Sequence, residues 1–77
     1  MTMHLIRSTS DLGAAIRSRR KQLGYTQAFL ASFAGVSSSF LSDLENGKET
    51  IQLNKALDII SLLGMDLFIQ ARDSGTE

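Results

Sequence analysis

The sequence of 77 residues contains no cysteine and a single histidine, His4. Without cysteine there can be no disulfide, no Cys-based zinc site and no thiol redox centre, which fits a reducing compartment. His4 stands near the start of the chain, and no base is placed to activate a serine nucleophile. We therefore expect no enzyme activity, no metal and no cofactor.

Long apolar runs are also missing. The opening segment MTMHLIRSTSD has no apolar run of signal-peptide length, and Asp58 and Asp66 interrupt the apolar stretches further along. We therefore expect neither export nor membrane insertion, and we expect a cytoplasmic protein. A chain of this length forms one small domain that buries only about 60% of its unfolded surface, so oligomerisation would add stability.

The formal net charge is zero, but the charges are unevenly distributed. Residues 1–48 carry six Lys and Arg against three Asp and Glu, a net charge of +3, whereas residues 49–77 carry two against five, a net charge of −3. One nucleic-acid-binding face would produce this polarity. Short chains also show it by chance, so the charge alone decides nothing.

The hydrophobic spacing predicts four helices. The first covers about 11–23 with Ser10 as N-cap, and the second covers 27–34 with Thr26 as N-cap and Gly35 as its end. The third covers 38–45 with Ser37 as N-cap and stops at Asn46-Gly47. The fourth covers about 52–63, with Thr50 able to cap it and Leu53, Leu57 and Ile60 on one face.

The period changes after Gly64. Apolar Met65, Leu67 and Ile69 alternate with Asp66, Phe68 and Gln70, which predicts a short strand. A lone strand leaves its backbone hydrogen bonds unsatisfied, so it needs a partner. Either the N-terminal MHLIR or the same strand of a second copy could supply one.

A window of twenty residues that begins at Gln27 matches the helix-turn-helix template at seven places: Leu30, Ala31, Ala34, Gly35, Val36, Leu41 and Leu44. The requirements are steric. A small residue such as Ala31 lets the two helices cross closely, Gly35 allows the sharp turn, and the aliphatic residues fix the crossing angle. The window therefore predicts a rigid corner between the second and third helices.

A further likeness to a known family covers residues 11–64 and is most specific at three motifs, R-x-x-R-x-x-x-G-x-T-Q, L-A-x-x-A-G-V-S and L-E-N-G-K. Through them the chain resembles the lambda-repressor-like, or Xre, helix-turn-helix family. The resemblance implies an all-α domain of about four helices whose third helix enters the DNA major groove. It also implies a homodimeric, nucleoid-associated repressor of transcription on a palindromic operator.

The resemblance also implies roles for individual residues. Those expected to face base edges are Ser37, Ser38, Ser39, Ser42 and Asp43. Those expected at phosphates are Gln27, Asn46, Lys48 and Arg20, and Arg20 is also expected to pair with Glu45. Serine hydroxyls bind singly and serve any base, so we expect weak direct readout, with DNA shape and phosphate contacts carrying more of the specificity.

Phe29, Phe33 and Phe40 occupy places that are usually polar in this family. They could pack under the N-terminal arm or the terminal strand, or they could form an exposed apolar patch for a protein partner. The second interpretation leads to an alternative function, a protein-interaction module that neutralises a partner without binding DNA.

The C-terminal segment GMDLFIQARD resembles the tail of HipB-type antitoxins and the related y4mF group. That resemblance implies a toxin-antitoxin system in which the antitoxin binds a HipA-type Ser/Thr kinase and represses the shared operon. The expected organisation is an arm at 1–10, the helix-turn-helix domain at 11–64, a dimerisation strand at 65–72 and a disordered tail at 73–77. Met65, Leu67, Phe68 and Ile69 would form the dimer strand.

Overall fold

Four helices follow one another along the chain in a computed structural model that describes residues 3–72. They are α1 (Thr9–Gln22), α2 (Gln27–Ala34), α3 (Ser38–Glu45) and α4 (Leu53–Leu62). The all-α architecture predicted from the sequence is confirmed. The predicted tail at 73–77 lies outside the described residues.

Helix α1 begins two residues earlier than predicted. Ser8, not Ser10, is the N-cap, and its Oγ accepts a hydrogen bond from the Asp11 backbone N–H at 3.1 Å. Asp11 in turn accepts one from the Arg7 backbone N–H at 2.8 Å. This reciprocal arrangement resembles a capping box and decides among three cap-competent residues, Ser8, Thr9 and Ser10. The acid three places on therefore selects the helix start.

Helices α2 and α3 have the predicted bounds and caps. Thr26 Oγ1 accepts from the Phe29 N–H and Ser37 Oγ accepts from the Phe40 N–H, both at 3.0 Å. Short helices depend strongly on such caps, because their first backbone N–H groups have no partner within the helix. Two adjacent short helices are thereby held at definite end points.

Helix α4 differs from the prediction at its start and in its buried face. It begins at Leu53 after Gln52, whose side chain makes no cap hydrogen bond, so Thr50 is not its cap. Of the three predicted residues, Ile60 is buried as expected, whereas Leu53 is 57% exposed and Leu57 41% exposed. Ala56 and Ile59 complete the buried face. The segment is apolar around much of its circumference, so spacing alone allows more than one inward face. Packing selects the face that contains the small Ala56.

The core lies where all four helices meet. Its buried members are Ile16, Leu30, Ala31, Leu41, Leu44, Ala56, Ile59, Ile60 and Leu63. Full burial of one Leu or Ile side chain contributes about 1.5–3 kcal/mol to stability. Only a few such side chains are available to offset the conformational entropy that the chain loses on folding. Stability is therefore sensitive to each one.

Helix α1 touches the end of α3 at a residue without a side chain. A Cβ added to Gly13 would collide with the Leu44 and Glu45 carbonyl oxygens. Close by, Thr9 Oγ1 donates a hydrogen bond to the Gly47 carbonyl at 2.7 Å. Because these contacts involve backbone, α1 fixes the position of the α3 end closely.

Residues 65–72, which follow α4, form no strand within one chain, and neither do residues 3–7. The predicted pairing of MHLIR with the terminal segment is therefore not formed. Pairing with a second copy stays a prediction. None of the helices within residues 3–72 has the length and apolar character needed to cross a membrane.

Candidate nucleic-acid interface

The corner between α2 and α3 has the geometry that its residues predict. Gly35 takes the left-handed conformation with φ of 72°, and the Val36 N–H donates to the Ala31 carbonyl at 2.9 Å. Ala31 is buried beneath the turn, and Leu30 and Leu41 are completely buried. A side chain at Gly35 would be strained, because L-residues rarely adopt this conformation. The corner is thus a packed, rigid joint.

Helix α3 exposes a polar ridge. Ser37, Ser38 and Ser39 are exposed at its start, and Ser42 and Asp43 are half-buried further along. Ser37 is also the N-cap, so its hydroxyl oxygen already accepts a backbone hydrogen bond. The other four residues present hydroxyl or carboxylate groups on a helix whose opposite face is in the core. The ridge can therefore donate to and accept from a polar surface such as base edges.

A buried ion pair joins α1 to the end of α3. Arg20 Nε donates to Glu45 Oε2 at 2.7 Å, and Arg20 Nη2 donates to Glu45 Oε1 at 2.9 Å. Arg20 Nη1 donates to the Tyr25 carbonyl at 2.8 Å, and Gln27 Nε2 donates to Glu45 Oε1 at 3.0 Å. This is the expected Arg20–Glu45 pair in bidentate geometry, extended by a residue from α2. Three helices thus meet in one network.

The network shifts the pKa values of both partners. Burial disfavours the charged form of Glu45, but hydrogen bonds from Arg20 and Gln27, together with the positive charges of Arg20 and Arg17, outweigh it. The pKa of Glu45 therefore lies below its ordinary value. The hydrogen bond to Glu45 raises the pKa of Arg20 in spite of burial. Both groups stay charged at neutral pH.

The network also limits what Arg20 can do at a phosphate. Its Nε, Nη1 and Nη2 all donate within the protein, and the residue is 7% exposed. The predicted phosphate contact of Arg20 has little support from this geometry. Gln27 is half-buried and donates one of its two Nε2 hydrogens to Glu45, so the second Nε2 hydrogen is the donor left for a phosphate.

Two further predicted residues follow the ridge. Asn46 is exposed, and its Nδ2 lies 3.4 Å from Ser42 Oγ, close to the limit of a hydrogen bond. Lys48 Nζ lies 3.4 Å from Asp43 Oδ2 in an exposed ion pair. Such exposed pairs contribute about 0–1 kcal/mol, so they exchange readily for contacts with another molecule.

The three phenylalanines separate into two groups. Phe29 and Phe33 are 51% and 62% exposed, and their rings stack with centroids 6.1 Å apart, with Tyr25 next to Phe29 at 5.1 Å. Packing of these two rings under the arm or the terminal segment, the first interpretation above, does not occur within the described chain. Phe40 is half-buried against the core.

Two residues with structural roles escaped the sequence analysis. Gly13 lies inside α1, where the sequence pattern indicates only a residue with low helix propensity. Its role depends on the close approach of α3. Lys55 Nζ lies 5.5 Å from the centre of the Phe40 ring. Lys55 and Phe40 belong to different helices, so no local sequence pattern could have predicted their contact.

A second apolar region borders a groove of its own. An open groove runs between residues 3–7, α1, the end of α4 and residues 64–72. Leu67 and Phe68 are exposed there, and Ile69 is 98% exposed. Residues 3–72 contain no group of three or more His, Cys, Asp or Glu placed to hold a metal ion.

The sequence is similar to a known family and to known proteins. The profile of a family described as "Helix-turn-helix" matches residues 16–69. The chain is 41% identical over 66 residues to "Uncharacterized HTH-type transcriptional regulator y4mF" of Sinorhizobium fredii (strain NBRC 101917 / NGR234), covering 86% of this chain and 87% of that protein. It is 49% identical over 39 residues to "Competence pilus inhibition repressor" of Acinetobacter baylyi, covering 51% of this chain and 36% of the relative.

Solved structures have the same fold. The structure named "HipB-O4 20mer complex" matches with a TM-score of 0.82 at 25% identity, covering 92% of this chain and 100% of that one. The structure named "Structure of HipA-HipB-O2-O3 complex" matches with a TM-score of 0.81 at 25% identity and the same coverage.

Proposed function

This chain belongs to the helix-turn-helix family of transcriptional regulators, of the Xre-like type, and from that premise we propose that it represses transcription as a homodimer on operator DNA. The observation that carries the proposal is the polar ridge of α3. It is exposed, yet the Gly35 corner and the Arg20–Glu45–Gln27 network fix its position from beneath. A helix that reads a major groove needs both properties.

Readout by this surface follows from its chemistry. Ser38, Ser39 and Ser42 would contact base edges with single hydrogen bonds, with Asp43 able to accept from cytosine. Gln27, Asn46 and Lys48 would contact phosphates and set the register of the helix. Because phosphate contacts position the helix while single serine bonds discriminate weakly, most of the affinity would come from the phosphates.

Gel-shift titration with the duplex upstream of the chain's own reading frame tests this assignment. Replacing Lys48 by Ala, or Gln27 by Ala, should weaken binding more than replacing Ser38 or Ser39 by Ala. Circular dichroism is the folding control, because Gln27 also belongs to the buried network. The reverse order of effects among well-folded variants would overturn the assignment.

We further propose an antitoxin role, in which the protein represses an operon that also encodes a HipA-type kinase toxin. Support comes from the likeness to HipB in the structures named "HipB-O4 20mer complex" and "Structure of HipA-HipB-O2-O3 complex". Co-expression with the product of the adjacent gene, followed by purification on a tag carried by that product, tests the role. If no kinase-like reading frame adjoins the gene, a plain regulator remains.

The exposed, stacked rings of Phe29 and Phe33 favour a second candidate, the interaction module that acts through a protein partner without DNA. Replacing Phe29 and Phe33 by Asp should abolish partner capture if the rings form that surface. Capture that survives both substitutions removes this candidate. Duplex binding by the purified wild-type protein would limit the rings to an additional role.

A further inference from the structure

A shallow pocket lies between one side of α3 and the first turn of α4. Phe40 and Asp43 line it from α3, Lys55 lines it from α4, and Lys48 lines it from the loop between them. Lys55 Nζ lies 5.5 Å from the centre of the Phe40 ring, within the range of a cation–π contact. The pocket thus brings two ammonium groups to one border of the polar ridge.

This border is opposite the one that holds Gln27. At 3.6 residues per turn, Phe40 and Asp43 lie about 140–160° around the axis of α3 from Glu45. Glu45 is the residue to which Gln27 is hydrogen-bonded. The exposed Ser39 and Asn46 lie between the two borders. A helix in a major groove has a phosphate backbone on either side, so each border of the ridge would face one strand.

The two lysines differ in how far their charge is neutralised. Lys48 faces the carboxylate of Asp43 at 3.4 Å. For Lys55, no carboxylate among residues 3–72 lies within ion-pair distance. The ring of Phe40 attracts the ammonium without cancelling its charge, because the attraction comes from a quadrupole. Lys55 is therefore the cation of this pocket that is available to an anion.

We infer that Lys55, held over the ring of Phe40, is a phosphate-binding positioning residue for DNA, next to Lys48 and across the ridge from Gln27. The inference rests on the proposed DNA binding and adds a contact to it. It also assigns a role to Phe40, whose ring restricts the directions in which the Lys55 side chain extends. Less rotamer freedom is then lost when the phosphate binds.

Salt titration of binding to a mixed-sequence DNA duplex several helical turns long tests the inference, since phosphate contacts are independent of sequence. Fluorescence anisotropy would compare wild type, Lys55→Gln and the control Lys21→Gln, an exposed lysine on α1 that does not line the pocket. In Lys55→Gln the slope of log affinity against log salt should become shallower by about 0.9 for each reading head. Affinity at low salt should fall several-fold, and Lys21→Gln should match wild type.

The role of the ring is tested by a double-mutant cycle with Phe40→Leu, which keeps an apolar side chain against the core. Phe40→Leu should weaken binding in the wild-type background and have no further effect in Lys55→Gln. Equal losses in both backgrounds would overturn the role of the ring. Thermal unfolding of each variant separates these losses from loss of fold.

The outcomes distinguish this inference from the proposed function. If wild type binds with steep salt dependence while Lys55→Gln behaves like Lys21→Gln, Lys55 makes no phosphate contact and the inference alone is overturned. If wild type binds no duplex even at low salt, the proposed DNA binding fails, and this contact fails with it.

Discussion

Among single residues, Glu45 makes the largest contribution to joining the helices. Its carboxylate accepts three hydrogen bonds, from Arg20 Nε, Arg20 Nη2 and Gln27 Nε2, and is almost completely buried. This one anion joins α3 to α1 through Arg20 and to α2 through Gln27. A buried pair of this kind is weak evidence for net stability, but its two charges depend on each other.

Replacing Glu45 by Gln should lower the free energy of unfolding by about 3 kcal/mol at neutral pH, because Arg20 keeps a buried charge without a counter-ion. Urea denaturation followed by circular dichroism measures this loss. Asp58→Asn, an exposed acid on α4, is the control and should change stability little. A loss no greater than that of the control would contradict the proposed dependence.

Acid should remove the same contribution. The pKa of Glu45 is lowered on folding, so its stabilisation is complete above the ordinary pKa of 4.5 and is lost as pH falls through the lower folded value. The stability difference between wild type and Glu45→Gln should therefore stay constant from neutral pH to about 4.5. Below that pH it should shrink. A difference that grows on acidification would refute the assignment.

Residue-level prediction from the sequence was right for the caps of α2 and α3, was wrong for Ser10 and Thr50, and failed where burial depends on packing. The caps Thr26 and Ser37 follow from residue type and the apolar spacing after them. Phe29 and Phe33 could not be placed, because burial of a ring depends on what another element leaves open. The contacts of the α3 ridge with bases and phosphates stay predictions.

At the scale of elements, the contact between α1 and α3 sets the position of the reading helix. Gly13 allows α1 to approach the last turn of α3 backbone to backbone. Arg20, about two turns further along α1, then spans to the side chain of Glu45. The two contacts together hold α3 by its C-terminal end, while Gly35 holds its start.

Replacing Gly13 by Ala should therefore destabilise the protein, although alanine is the better helix former by about 1 kcal/mol. The added Cβ would meet two carbonyl oxygens of backbone that cannot move without shifting α3. We expect a net loss of about 1–3 kcal/mol, as for overpacking. Thermal denaturation measures it, with Ser18→Ala on the exposed side of α1 as the control. A gain in stability at Gly13 would mean that the two helices are further apart.

The start of α1 gives a matched pair of variants. Ser8→Ala should cost about 1 kcal/mol, because it removes the acceptor for the Asp11 N–H. Ser10→Ala lies inside the helix and should be neutral or stabilising by a few tenths of a kcal/mol. The reverse ranking in chemical denaturation would restore Ser10 as the cap.

Elements bounded by strong local signals were predictable from the sequence. Each of α2 and α3 has a capping Ser or Thr before it, and a Gly-containing turn follows, so their bounds came out as expected. The apolar Leu53, Leu57 and Leu62 lie outside the buried face of α4, and their presence obscured it. Only the shape of the remaining core could select that face.

At the scale of the whole molecule, one stretch of exposed apolar surface lies at the end of the described chain. Leu67, Phe68 and Ile69 are exposed next to a core with few large buried side chains. A single small domain gains little from leaving such residues in water. Pairing of residues 65–72 with the same segment of a second copy would cover Leu67 and Ile69, which share one face of the strand, and satisfy backbone groups that have no strand partner within residues 3–72. It would also set the spacing of two reading heads.

Adjacent substitutions of equal charge test this pairing. The alternation puts Ile69 on the same face as Met65, which packs against the core, and Gln70 on the other face. Ile69→Asp should therefore yield monomers in sedimentation velocity at concentrations where wild type is dimeric, while Gln70→Asp remains dimeric. The monomer should also bind DNA less tightly, since each reading head then acts alone and the effective concentration supplied by its partner is lost. A charge on the solvent side of a strand leaves its packing intact, so equal dissociation of both variants would rule out the alternating face. A wild-type chain that stays monomeric at every concentration would rule out the dimer itself.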